Sequence, residues 1–141
     1  VHVSDAHSAF GGKIGCIETF LNGSGLTKLH SNVSFKSIAL SAKEINLLLE
    51  RNDRQARKTL GIYASRLSRS LSSVINLLDP DIIVLGGGLS NINQLYELVP
   101  NSWHNWVFSD QIKTKLVKNQ HGDSSGVRGA AWLWSNKVKI I

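Results

Sequence analysis

The 141 residues predict an α/β fold, and three stretches carry the prediction. Ile82-Ile83-Val84-Leu85 is a run of four aliphatic residues between a helix-stopping Asp79-Pro80 and three glycines, the pattern of a strand buried on both faces. Ala56, Leu60, Ala64, Leu67, Leu71, Val74, Ile75 and Leu78 recur at intervals of three and four. They form an amphipathic stripe that would run about 40 Å and deliver the chain straight into that strand. Leu116-Val117, within the lysine-bearing stretch Lys113 to Lys118, reads as a second strand at a sheet edge.

Composition bounds what the chain does. With 42% hydrophobic and 18% charged residues it suits one globular domain with a real core. No apolar run approaches the roughly 18 residues that cross a bilayer, and VHVSDAHSAF lacks a signal-peptide core, so a cytoplasmic location is expected. Cys16 is the single cysteine, which excludes an internal disulfide and fits a reducing compartment. The sequence has no methionine, which fits a chain that starts inside a longer reading frame. The net charge of +6 is concentrated in Arg51, Arg54, Arg57, Lys58, Arg66 and Arg69, with Asp53 opposing them. Only Tyr63 supplies an aromatic there and no helix-turn-helix pattern is present, so this reads as a solvated helix face; neither nucleic acid nor membrane is expected as a partner.

Along the chain, residues 9–25 are glycine-rich and then briefly apolar, a loop feeding a helix at Ile17 to Leu21. Glu18 there faces either a polar site or water. Gly23-Ser24-Gly25 lacks the spacing and the Lys-Ser/Thr of a Walker loop. Ser41 to Glu44 is a capping box opening a short helix whose Ile45, Leu48 and Leu49 face inward; it stops near Arg51-Asn52. Asp53 caps the long helix, whose weak point is Gly61. After the aliphatic strand, Gly86, Gly87 and Gly88 lack a Cβ, so the backbone can take positive φ and admit another molecule close to it. Ligands of open α/β sheets gather past the carboxyl ends of strands, which makes this the candidate binding edge; a tight βα turn needing glycine for steric reasons fits the same residues equally. Ser90 or Asn91 is placed to cap the next helix, Ile92 to Leu98, which Pro100 closes. Trp103, Trp106 and Val107 mark the apolar face of another, with the tryptophans read as core. The segment from His121 to Trp134 puts polar residues before a small-residue helix start at Gly129-Ala130-Ala131. His121, Asp123 and Ser124 lie too close together in one loop to aim at one another as a hydrolytic triad must.

Three of these segments, GKIGCIETFLNGSG, NLLDPDIIVLGGGLSN and HGDSSGVRGAAWLW, resemble in order the carboxyl-terminal half of the ROK family of bacterial sugar kinases and regulators, and within it the fructokinase (manno(fructo)kinase) branch. The resemblance covers about Phe10 to Trp134. It implies an actin-like, ribonuclease-H-like ATPase fold whose two lobes clasp ATP and sugar. Residues 1–30 would be a remnant of the family's zinc loop and sugar-site segment, and 31–141 the carboxyl-terminal α/β lobe. The implied function is ATP-dependent phosphorylation of a hexose, fructose first, with ATP and Mg²⁺ as cofactors and a homodimer as the common assembly. The implied alternative is a sugar-responsive transcriptional regulator.

Residue by residue, the resemblance makes Glu18 a sugar-hydroxyl acceptor. It makes Gly86, Gly87 and Gly88 the border of the adenosine, and Gly126 and Gly129 the helix start beside the nucleotide cleft. The family's zinc loop has cysteines where this chain has Ala9 and Gly11, leaving Cys16 as a remnant ligand. His2 and His7 lie too close to Cys16 to match the family's histidine, so a complete zinc site is not expected. The family's phosphate-binding Asp-x-Gly-Gly-Thr and its Asn-Asp pair with the catalytic base have no counterpart, so no catalytic residue is expected in this chain.

Overall fold

A computed structural model describes residues 15–35 and 39–135. The amino-terminal expectation of a helix at Ile17 to Leu21 is corrected. Ile17–Thr19 makes one 3-10 turn, and a full helix, α1, follows at Gly23–Ser34. The glycine-rich start hides this helix from a reading by propensity, because glycine is a poor helix former. It forms because the Asn22 side chain caps it, accepting from the Gly25 N–H at 2.7 Å, and because Leu26, Leu29 and His30 bury one face. Glycine is required at position 25, where a Cβ would sit 2.6 Å from the Phe20 backbone.

Helix α2, Ala42–Glu50, opens on the expected capping box, with Ile45 and Leu49 buried and Leu48 partly so. Helix α3, Arg54–Leu78, starts at Asp53, whose carboxylate accepts from the Ala56 N–H at 2.8 Å, and it runs unbroken through Gly61. Its stripe buries Ala56, Leu60, Ala64, Leu67 and Ile75 against the other helices, but Val74 and Leu78, expected inside, are exposed. The buried hydroxyls of Ser68 and Ser72 replace apolar contact by reaching backbone: Ser68 donates to the Val99 carbonyl at 3.2 Å and Ser72 to that of Ser68 at 2.8 Å. The arginine-rich face is largely exposed, with the Arg66 guanidinium 5.9 Å from the centre of the Phe20 ring.

Asp79 ends α3 in a left-handed conformation and the chain enters β1, Ile82–Leu85. β1 pairs in parallel with β2, Lys115–Lys118, in the register Ile82↔Lys115 to Leu85↔Lys118. The expectation of a strand buried on both faces is corrected: Ile83 and Leu85 turn toward the core, while Ile82 and Val84 are 55% and 57% exposed. Among the described residues the sheet has two strands and one covered face.

Between the strands, neither Ser90 nor Asn91 caps a helix. Both lie inside a 3-10 turn, Gly88–Asn91, because Ser90 turns its hydroxyl back onto the Gly87 carbonyl instead of forward. Helix α4, Leu95–Leu98, is followed directly by α5, Pro100–Trp103. Pro100 therefore does not close a helix; it opens the next turn, where its missing N–H costs nothing. Trp103 is 4% exposed and belongs to the core with Ile92, Leu95 and Val99; Trp106 is half-buried. After a 3-10 turn at Gly122–Ser124, helix α6 runs Ser125–Ser135.

Candidate functional site

The carboxyl end of β1 is held by Asn119 and Tyr96, which the sequence reading did not single out, and by Ser90, which it read as a helix cap. Asn119, just past β2, donates through Nδ2 to the Leu85 carbonyl at 3.0 Å and to the Ser90 hydroxyl at 2.7 Å. Ser90 Oγ in turn donates to the Gly87 carbonyl at 2.7 Å, and the Tyr96 hydroxyl donates to the Ser90 carbonyl at 2.7 Å. Burial raises the Tyr96 pKa and the Ser90 side chain opposes the rise. The parallel pairing of β1 with β2 brings Asn119 to Leu85 across more than thirty residues of chain, a proximity that local pattern cannot signal.

Inside this clamp the three glycines differ. Gly87 has φ +76, a conformation that L side chains rarely adopt, so the backbone alone explains it. Gly86 and Gly88 need no such excuse: a Cβ built on either meets nothing within 4 Å. Packing among the described residues thus does not demand glycine at these two positions. The turn forms one wall of a cleft of about 290 Å³, with Leu21, Asn22 and Gly23 at the start of α1 opposite it. Tyr63 and Leu67 of α3 also line it. Burial pushes the Tyr63 pKa up to about 12. The volume is close to the lower end for small-molecule sites, and the walls combine apolar side chains, bare backbone and a capped helix N-terminus.

The other sequence-predicted residues lie outside this cleft. Glu18 is exposed on the 3-10 turn Ile17–Thr19; its carbonyl accepts from Asn22 Nδ2 at 2.6 Å, tying it to the residue that caps α1 at the cleft wall. Cys16 is half-buried, and among the described residues no three of His, Cys, Asp and Glu gather where they could hold a metal. His2, His7, Ala9 and Gly11 lie outside the described residues. Gly126 and Gly129 are exposed on α6 with nothing within 4 Å of an added Cβ; Gly129 borders a separate, smaller pocket with His121, Arg128 and Trp132. Ser124 Oγ donates to the His121 backbone carbonyl, not to its ring.

The sequence profile of the ROK family matches residues 4–137, nearly the whole chain. The chain belongs to the ROK family. It is 39% identical over 126 residues to an N-acetyl-D-glucosamine kinase of Mannheimia succiniciproducens, covering 89% of this chain and 41% of that protein. It is 34% identical over 122 residues to the N-acetyl-D-glucosamine kinase of Salmonella paratyphi B, covering 86% and 40%. Among solved structures, a ROK glucokinase from Streptomyces griseus in complex with glucose and AMPPNP superposes with a TM-score of 0.79 at 21% identity, over 94% of this chain and 48% of that one. A ROK transcriptional regulator superposes at 0.67 and 18% identity, over 81% and 31%. The fold is therefore the actin-like ATPase fold of ROK proteins. This chain spans about two fifths of the length of the curated ROK relatives it matches. Those relatives lend no support to the expectation of fructose. Among the described residues no helix is long and apolar enough to cross a membrane.

Proposed function

We propose that this chain contributes the nucleotide-binding part of an ATP-dependent hexose kinase. The observation that carries this reading is the cleft between α1 and the glycine turn, where Gly86 and Gly88 leave open space that no described residue needs. ATP fits that construction, since its ribose and base require close backbone approach and its phosphates favour a helix N-terminus. When bound with Mg²⁺, ATP supplies the γ-phosphoryl group that passes to a sugar hydroxyl.

The chain's own residues have defined tasks in this scheme. The glycine turn, held by Asn119 and Ser90, offers the adenosine a fixed backbone surface. The N-terminus of α1, at Gly23, presents its positive end to the phosphates. Glu18, four residues before the cap, accepts sugar hydroxyls, a task a carboxylate suits because it takes two donors at fixed angles. Gly126 and Gly129 lie outside that cleft, on the exposed helix α6, and are assigned no contact with the nucleotide. The base that deprotonates the sugar hydroxyl is not among these residues and would come from another part of the natural protein. The zinc loop has lost two of its cysteine positions, so no step is assigned to zinc. Given the relatives' names, N-acetyl-D-glucosamine is the first substrate to test, ahead of fructose, mannose and glucose.

A coupled assay of the natural protein with those four sugars and Mg-ATP tests the proposal. One sugar should be phosphorylated, and Gly86→Ala should raise the KM for ATP by about tenfold while leaving that for the sugar unchanged, as a methyl forced into occupied space typically costs about 1–3 kcal/mol. No turnover with any sugar would favour the regulator that shares this fold. Equal change in both KM values would assign the turn to packing.

A further inference from the structure

We propose that the Tyr63 hydroxyl donates a hydrogen bond to the base of the bound nucleotide, which makes Tyr63 the residue that reads the base from the α3 side of the cleft. The inference rests on the nucleotide reading above and extends it to a residue outside the glycine turn.

Tyr63 is 2% exposed and packs in the core of helices α1 to α3, a position that phenylalanine would fill as well. Its hydroxyl is the feature to explain. Each of the other buried hydroxyls on α3 has an acceptor: Thr59 gives to the Gln55 carbonyl at 2.8 Å, Ser68 to that of Val99, and Ser72 to that of Ser68. The second tyrosine of the chain, Tyr96, gives to the Ser90 carbonyl. Tyr63 alone among these has no hydrogen-bond partner among the described residues, yet it lines the cleft that the glycine turn borders. The Tyr63 oxygen is not sealed off, since among the described residues the buried oxygen without a partner is Thr114 Oγ1; the hydroxyl is therefore open to the cleft and available to a ligand there.

The surroundings specify what the ligand presents. Leu67, Leu85, Leu89 and Leu95 give the cleft apolar walls, which suit a flat aromatic ring better than a phosphate or a sugar. Burial favours the protonated Tyr63 hydroxyl, which can therefore donate to an acceptor on the ring, such as a purine ring nitrogen.

Tyr63→Phe removes the oxygen and keeps the ring. In the natural protein, calorimetric titration should show Mg-ATP binding weakened about five- to tenfold, the worth of one neutral hydrogen bond, with sugar affinity unchanged. The melting temperature without ligand should be little changed, because the hydroxyl has no protein partner to lose. Unchanged Mg-ATP affinity in Tyr63→Phe, in a protein where Gly86→Ala weakens it, would overturn this inference and leave the nucleotide site standing. A lowered melting temperature with equal loss of ATP and sugar affinity would overturn it by assigning the hydroxyl a structural role. If the unaltered protein bound no Mg-ATP, this inference would fall together with the function above.

Discussion

The helical side of the molecule and its sheet side are finished to different degrees. Helices α1, α2 and α3 enclose Leu26, Ile45, Leu60 and Ala64, and His30 Nδ1 meets the Thr59 hydroxyl at 3.0 Å between α1 and α3. On the other side β1 has one neighbour strand among the described residues, Ile82 and Val84 face outward, and α6 exposes Val127, Trp132 and Leu133. The difference follows from how each element satisfies itself. A helix closes its backbone hydrogen bonds internally and needs one apolar neighbour, whereas a strand closes them only against another strand, and a parallel sheet is ordinarily covered on both faces.

The two tryptophans that mark these sides give the largest expected contrast. Trp103 is enclosed by the core, and Trp103→Ala should cost about 3–5 kcal/mol by denaturant unfolding, in the range for emptying a large aromatic site. Trp132 is 74% exposed on α6, and Trp132→Ala should change stability by less than about 0.5 kcal/mol. Comparable losses in the isolated chain would mean that α6 is packed as firmly as the core, and the contrast would be broken.

A smaller effect of opposite signs separates two glycines on the helical side. Gly25→Ala drives a methyl onto the Phe20 backbone, where a flexible side chain cannot yield, and should destabilise by about 1–3 kcal/mol. Gly61→Ala adds a Cβ with nothing within 4 Å on an exposed face of α3, and should stabilise by about 0.5–1 kcal/mol through helix propensity. Thermal melts of the two variants check both signs. A stabilising Gly25→Ala would show that α1 does not pack against the 3-10 turn that carries Glu18.

What the sequence made legible follows the same division. The period of α3, its Asp53 cap and the capping box of α2 are local signals, and all three are present in the structure. Helix α1 escapes a reading by propensity because its start is Gly-Ser-Gly, where the Asn22 cap and the burial of Leu26 and Leu29 override poor propensity. Pro100 was misread because proline stops a helix in its interior but begins one equally well, and only the geometry after Val99 decides. The glycine turn was visible as a candidate site, but the Asn119 and Ser90 clamp depends on strand pairing, and the position of Tyr63 in the cleft depends on how α3 crosses beneath the turn. In sequence Tyr63 is flanked by the arginines of the solvated face, and its burial on the opposite side of α3 is not flagged by a stripe of aliphatics.

The capping box carries the smallest prediction and the one most closely tied to sequence. Glu44 accepts from the Ser41 hydroxyl at 2.7 Å and from the Ser41 backbone N–H at 2.8 Å, while the Glu44 N–H reaches Ser41 Oγ at 3.3 Å. The hydroxyl contact, then the backbone contact, holds the Glu44 pKa below its ordinary value of 4.5. A carboxylate whose folded pKa is depressed contributes its stability above the unfolded value and loses it as pH falls through the folded one. Glu44→Gln should therefore be slightly less stable than the parent chain at neutral pH, and the gap should close as the pH falls below the ordinary carboxylate value and through the lowered folded one. Paired denaturation curves across the acid range measure that gap. If it persisted undiminished at low pH, the box would owe its stability to hydrogen-bond geometry alone, and charge at the start of α2 would have no part in holding the finished, helical side of the molecule.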